Sequence, residues 1–397
     1  MSQLTSINDV DVSGRRLLVR ADLNVPMQNG QITDMTRINR FAEGMRPLLQ
    51  KGAKLVVLTH RGRPDRPFEQ SLSNEKIRKA LSDALQAPVL FSAYSTGPSS
   101  ESFASRLSEG QVLLCENVRF LKGETSNDLE VAAGLARLGE IYVNDAFSSA
   151  HRAHASTEGV TRFLPSFAGP LMLDEVDALS QTLDAPDQPA VAVIGADRFS
   201  SKAPILLNLA GKLDKLIIGG QIANTFLYAS GTPIGRSQFE PDQLDAVSEI
   251  RARAEESGCK ILLPIDLVVS QDNGKSTAIV DRTACPQDAT ILDVGPKTVE
   301  RFKAALGSAR AILWNGPFGR MENETPAVGL AQEAARITRM GKSITVAGGR
   351  DAVRALNQAG VSDDFSFVST ARGAFLECLS GRNLPGIAAL KGTQCAS

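Results

Sequence analysis

Short apolar runs alternate with stretches of helical periodicity along all 397 residues of the chain. In the first half the runs are RLLVRADL (16–23), AKLVVLTH (53–60), QVLLCEN (111–117) and EIYVNDAF (140–147). In the second half they are PAVAVIGA (189–196), DKLIIGG (214–220), KILLPIDLVV (260–269), AILWNG (311–316), SITVAGG (343–349) and DFSFVST (364–370). Taken together they are rich in Val, Ile and Leu on both faces, which suits strands of a parallel sheet covered by helices. Between them lie amphipathic segments such as DLEVAAGLARLG (128–139) and LDAVSEIRARAEES (244–257). Strand and helix in alternation predict an α/β protein with mostly parallel sheets. LMLDEVDALSQTLDA (171–185) reads as a connecting helix, and DAPDQPA (184–190), with two prolines, precedes a fresh series of strands. The chain therefore divides near 180–190 into two halves of similar size and texture.

Composition narrows the function classes. Apolar residues make up 43% and charged residues 22%, and the formal net charge is −1, so no global field recruits nucleic acid or anionic membrane. No stretch reaches the roughly 18 apolar residues of a membrane helix, and the N-terminal segment lacks a signal-peptide core. The five cysteines are scattered without a C-x-x-C pair, which suits reduced thiols in a cytoplasmic protein.

In an open α/β sheet ligands sit beyond the carboxyl ends of the strands, so the residues that follow each run carry the candidate chemistry. In the first half these are Asp22 and Asn24, then Arg37, then His60, Arg61 and Arg63, then Arg119, then His151, Arg152 and His154. Arginines gathered with one carboxylate and one amide suit a small phosphorylated carboxylate, because the guanidinium fork matches both anionic groups. A single loop arginine is ordinarily a solvated charge; the repetition at successive strand ends is what argues for a site.

The second half gathers glycine instead: GADRFSSK (195–202), IGGQIANTF (218–226), DVGPKT (293–298), NGPFGRME (315–322), AGGRDAV (347–353) and STARGAFLE (369–377). Strand, glycine and helix start together cradle phosphate with backbone N–H groups. Six such loops point to a nucleotide domain. A P-loop motif and a G-x-G-x-x-G after the first strand are both missing, so neither a P-loop protein nor a dinucleotide fold is expected. Asp351 opens a helix, where it is either a cap or a carboxylate for Mg²⁺.

RADLNVP, THRGRP, ENVRF, VNDAF with AHRAHAST, DVGP, WNGPFG, ST with GAFLE, and LPG together resemble the phosphoglycerate kinase family over nearly the whole chain. The resemblance implies two Rossmann-like domains joined by a helix and hinge. The 3-phosphoglycerate domain would be 1–172 plus 379–397, the connecting helix 173–186 and the nucleotide domain 187–378, and the two half-sites would have to close to react. It implies a monomer that works on small molecules, with Mg²⁺ and ATP or ADP. Carried over by position, Asp22, Asn24, Arg37, His60, Arg63, Arg119 and Arg152 would hold the triose, with Arg37 also stabilising the phosphoryl group in transit. Arg198 and Lys202 would act with it on that group. Gly195, Gly219, Gly220, Gly295, Gly348, Gly349, Asn315 and Glu322 would hold the nucleotide, the last two near the ribose, and Asp351 the metal.

The sequence departs from the family pattern mainly on the nucleotide side. Arg198 stands for a lysine, and Gln221, Arg350 and Arg372 stand for glycines; in the first half Arg61 stands for leucine and Ser148 for glycine. If the substituted glycines needed positive φ, strain would follow. Three readings stay open on sequence: an active kinase with a retuned nucleotide site, a relative that takes another acid or donor with an extra anionic group met by Arg61, or a non-catalytic binder of 3-phosphoglycerate.

Overall fold

The computed structural model describes residues 4–65, 68–272, 274–318 and 328–392. It separates into two compact units, residues 1–176 with 383–397, and residues 177–382.

In the first unit the strands are β1 Arg16–Ala21, β4 Lys54–Leu58, β5 Val89–Ser92, β6 Val112–Cys115, β7 Ile141–Asp145 and β8 Ser166–Ala168, with a small hairpin of β2 Met27–Gln28 and β3 Gln31–Ile32. The six-stranded sheet has the order β5-β6-β4-β1-β7-β8, and every pairing in it is parallel. Leu17, Leu18 and Val19 of β1 lie opposite Leu55, Val56 and Val57 on one side and Ile141, Tyr142 and Val143 on the other. All but Ile141 have zero exposure, which is why these strands read as unbroken apolar runs. Helix Thr36–Gln50 closes one face with Ile38, Phe41, Ala42 and Met45.

The second unit holds β9 Ala190–Ala196, β10 Lys215–Gly220, β11 Lys260–Leu262, β12 Asp266–Ser270, β13 Ala278–Asp281, β14 Thr290–Val294, β15 Ala311–Asn315, β16 Ile344–Ala347 and β17 Phe367–Val368. Its six-stranded sheet runs β11-β10-β9-β15-β16-β17, again parallel throughout. Trp314, Phe302 and Phe318 fill its core.

The expected α/β architecture is present, with three differences. KILLPIDLVV is two strands in two sheets, because Pro264 lies between β11 and β12 and cannot donate to a ladder. β12 instead joins β13 and β14 in a three-stranded antiparallel sheet. β13 is mostly exposed and β5 only half buried, so neither carries an apolar run long enough to be read as a strand. The predicted helix 171–185 is α-helical over Pro170–Leu179 and ends in a π-helical turn, Ser180–Asp184.

Candidate active site

Strands β6, β4, β1 and β7 are neighbours in the first sheet. Because they are parallel, the segments that follow them emerge at one edge, and the sequence-predicted residues converge there. Asp22, just past β1, is the anchor. Its carboxylate accepts from Arg37 Nη1 at 2.5 Å and from the Asn24 backbone N–H at 3.2 Å, and also takes the Ser148 hydroxyl. Burial pushes its pKa up, but Arg37 and the hydrogen bonds outweigh that and hold it below the usual carboxylate range. Asn24 Oδ1 accepts from the Gly62 N–H at 3.1 Å, so it pins the loop that carries Arg63.

Arg119 donates to the Gly62 carbonyl at 2.5 Å. Burial, followed by the nearby charges of Arg152, Arg20 and Arg63, lowers its pKa, with Glu124 the opposing carboxylate. Arg152 Nε donates to His151 Nε2 at 3.1 Å, and Arg63 is exposed with no hydrogen bond or ion pair to any described residue. The cluster is thus several guanidinium groups facing one another, short of countercharge.

Sequence reasoning missed what holds this cluster in place. Arg20 sits inside β1 at 1% exposure. Its Nε donates to Ser156 Oγ at 2.9 Å, its Nη1 to the Ala21 carbonyl at 2.5 Å and its Nη2 to His60 Nδ1 at 3.1 Å. An arginine is always a donor here, so His60 accepts as neutral imidazole. Burial, then Arg20, drives its pKa down to about 3. Buried Glu124 accepts from Ser156 N and Oγ at 3.0 and 2.5 Å and lies 3.8 Å from His154 Nδ1. A charged residue in an otherwise apolar strand was the signal available in RLLVRA. Ser148 likewise entered only as a departure from the family pattern, yet it is bonded to Asp22.

Arg61 is placed differently from expectation. It is 4% exposed, and its guanidinium donates to the Ser73 carbonyl and the Met27 sulfur, both at 2.7 Å. It braces the loop from within and is not offered to an extra anionic group.

In the second unit β9 lies between β10 and β15, with β16 next, so their following loops also meet. Lys202 is 9% exposed and donates to Asn315 Oδ1 at 2.5 Å, while Asn315 Nδ2 donates to the Gly348 carbonyl at 2.6 Å. Burial lowers the Lys202 pKa and Asp351 opposes it. Asn315, at 1% exposure with both ends of its amide bonded, positions Lys202 and lines the same cavity as that lysine. Glu322 lies outside the described residues. A cavity of about 230 Å³ is lined by Arg198, Lys202, Arg350 and Asp351, beside a larger one of about 550 Å³ bordered by Gly220, Leu267 and Val294. Asp351 makes no hydrogen bond to any described residue. Asp351 and Asp197 both line this phosphate-sized chamber, which fits Mg²⁺, held by one or two carboxylates with phosphate oxygens completing its shell. No cluster of three metal-ligating side chains exists among the described residues.

The expected strain is not there. Gln221, Arg350 and Arg372 are each the first residue of a helix: Gln221–Ala229, Arg350–Gln358 and Arg372–Leu379. None of them, nor Arg198, has positive φ. The left-handed turns are made by the retained glycines, Gly220 at φ 64° and Gly349 at φ 98°. The substituted positions therefore keep their backbone N–H groups and gain a side chain. Gly195, Gly219 and Gly348 are close-packing positions, crowded by the Pro317 carbonyl, the Phe318 ring and the Phe375 ring. Gly295 precedes helix Pro296–Gly307, whose first N–H groups are already taken by Asp266: Lys297 N at 3.0 Å and Thr298 N at 2.7 Å. That helix start is capped from within the protein.

Known proteins resemble this chain over nearly its whole length. The phosphoglycerate kinase family profile matches residues 7–382. The chain is 47% identical over 391 residues to "Phosphoglycerate kinase" of Cereibacter sphaeroides, covering 97% of this chain and 98% of that protein. It is 46% identical over 396 residues to its counterpart in Agrobacterium fabrum, covering 98% and 99%. The solved phosphoglycerate kinase of Coxiella burnetii superposes with a TM-score of 0.91 at 38% identity, covering 100% of both chains. That of Pyrococcus horikoshii superposes with a TM-score of 0.79 at 27% identity, covering 99% and 100%. Nothing in these likenesses sets the chain apart at its glycine loops. By profile, by identity over nearly its whole length and by fold, this chain belongs to the phosphoglycerate kinase family.

Proposed function

We propose that the chain moves a phosphoryl group between the acyl phosphate of 1,3-bisphosphoglycerate and ADP, giving 3-phosphoglycerate and ATP, with the triose on the first unit and the nucleotide on the second. The observation that carries this is the guanidinium cluster of Arg20, Arg63, Arg119 and Arg152, held together with too little countercharge. Such a cluster is stable when an anion completes it, and a phosphate monoester matches the forks of Arg63, Arg119 and Arg152.

The remaining roles follow from chemistry. Phosphoryl transfer asks the protein for positioning and charge stabilisation. In this direction the acceptor is the β-phosphate of ADP and the carboxylate leaves, while in reverse the carboxylate is the acceptor; both nucleophiles are ionised at neutral pH, so no general base is required. That agrees with a His60 whose Nδ1 is occupied by Arg20. Arg37, steadied by Asp22 at 2.5 Å, orients the triose carboxylate and stabilises the group in transit. Arg198 and Lys202 neutralise phosphate on the nucleotide side. Bound at Asp351, Mg²⁺ would supply further neutralisation of the nucleotide oxygens.

Steady-state turnover with 3-phosphoglycerate and Mg-ATP, read through a coupled NADH-consuming dehydrogenase, tests this. We expect turnover that falls at least about 10²-fold in Arg37→Ala, the scale of losing an oriented charge at the reacting group. No turnover with triose binding intact would instead favour a binding role.

A further inference from the structure

We propose that Arg350 is a phosphate-binding residue of the second unit whose charge replaces part of what the metal supplies, so that nucleotide binding survives removal of the divalent cation. The inference rests on the nucleotide reading above and sharpens it.

The argument begins with the ionisable groups that line the smaller cavity: Arg198, Lys202 and Arg350 against Asp197 and Asp351. With Arg350 the wall carries one excess positive charge. Without it the signs balance, and a polyphosphate would gain its attraction only from bound metal and backbone dipoles. Lys202 is committed to Asn315 at 2.5 Å, whereas Arg350 makes no hydrogen bond or ion pair with any described residue. Its guanidinium is therefore available, permanently charged and able to take two phosphate oxygens at once. Its place in the fold makes the addition compatible with the cradle. Gly349 carries the left-handed turn at φ 98°, and Arg350 opens the nine-residue helix Arg350–Gln358. The backbone N–H groups at the helix start remain, and the side chain adds donors at the end where the helix dipole is positive. Backbone N–H groups and the macrodipole bind an anion whether or not a metal is present. A cation beside them shifts the balance toward metal-independent binding.

The test is calorimetric titration of ADP into the full chain, with Mg²⁺ and with excess EDTA, for the parent, Arg350→Ala and Arg350→Lys. In the parent, metal-free ADP should bind within about tenfold of Mg-ADP. Arg350→Ala should weaken metal-free binding by about 10–150-fold, the range of a charge-assisted hydrogen bond to an anion, and weaken Mg-ADP binding less than about threefold. Arg350→Lys should recover most of the loss. Thermal melts without ligand identify a variant that has not folded; Arg350→Lys then decides, and equal loss there would overturn the proposal. If Mg-ADP binds and the ratio of the two affinities is the same in parent and Arg350→Ala, the role of Arg350 is wrong while the nucleotide site stands. If the parent binds no ADP even with Mg²⁺, both fall.

Discussion

Ser148 shows how one atom tunes this chemistry. Its hydroxyl donates to the carboxylate of Asp22 that holds Arg37, and it lies in the loop after β7 that leads to Arg152. It is a positioning residue, since it acts through Asp22. In Ser148→Ala the carboxylate loses a donor, so its pKa rises. Asp22 is then protonated at higher pH, and Arg37 is released there. The KM for 3-phosphoglycerate should rise by about 3–10-fold, the scale of one net hydrogen bond felt through Asp22, and the acid limb of kcat/KM should move to higher pH. Unchanged KM with an unchanged acid limb would show that Ser148 only fills space. The residues after the strands were legible in the sequence because Arg and Asp have few bland reasons to recur there. Arg20, Glu124 and Ser148 were not, because what identifies them is a partner between 30 and 136 positions away.

Helix starts are the elements that decide the nucleotide side, and they are of two kinds. Helix Pro296–Gly307 has the N–H groups of Lys297 and Thr298 filled by Asp266, so those donors are not open to an anion. Asp266→Ala should destabilise the second unit by about 1–3 kcal/mol, the cost of a lost cap and of buried unpaired N–H groups, measured by urea unfolding, with little change in ADP affinity. Helix Arg350–Gln358 is open, and its turn depends on Gly349. A Cβ there would stand 2.7 Å from Asn315 Nδ2 at a φ of 98°. Gly349→Ala should therefore displace Asn315, loosen Lys202 and weaken ADP binding. Arg350→Gly has no strain to relieve and should not stabilise the fold, because glycine in a helix costs up to about 1 kcal/mol. An unfolding midpoint raised by Arg350→Gly and unaffected by Gly349→Ala would reverse this assignment.

For the molecule as a whole, the −1 net charge conceals buried imidazoles whose titration couples to folding. Burial and Arg20 set the His60 pKa at about 3, and burial and the neighbouring arginines set that of His154 at about 4. Unfolded, both protonate near 6.5. Below that pH the unfolded chain binds more protons, so stability is lost as pH falls, at up to about 1.4 kcal/mol per pH unit for each imidazole. Urea unfolding at pH 7 and pH 5 should show a marked loss, and His154→Asn should flatten the slope. An identical slope in the variant would mean that His154 is not neutral in the fold. Saturating 3-phosphoglycerate should raise stability by about 2.7 kcal/mol at a hundredfold excess over Kd.

The α/β class, the two series of strands, the helices at Leu129–Ala136 and Leu244–Ser257 and the arginine-bearing loops were all determined by the sequence alone. They depend on periodicity and on residue types at strand ends, which are local. Tertiary structure decided what local pattern cannot. It assigned the two parts of KILLPIDLVV to different sheets, turned Arg61 inward and capped the helix start after Gly295. It also placed Gln221, Arg350 and Arg372 at helical positions where a side chain costs no strain. In each case the outcome is set by a partner distant in sequence or by a backbone angle, and φ at a glycine loop is fixed by how the strand and helix on either side pack, which the letters of the loop do not record.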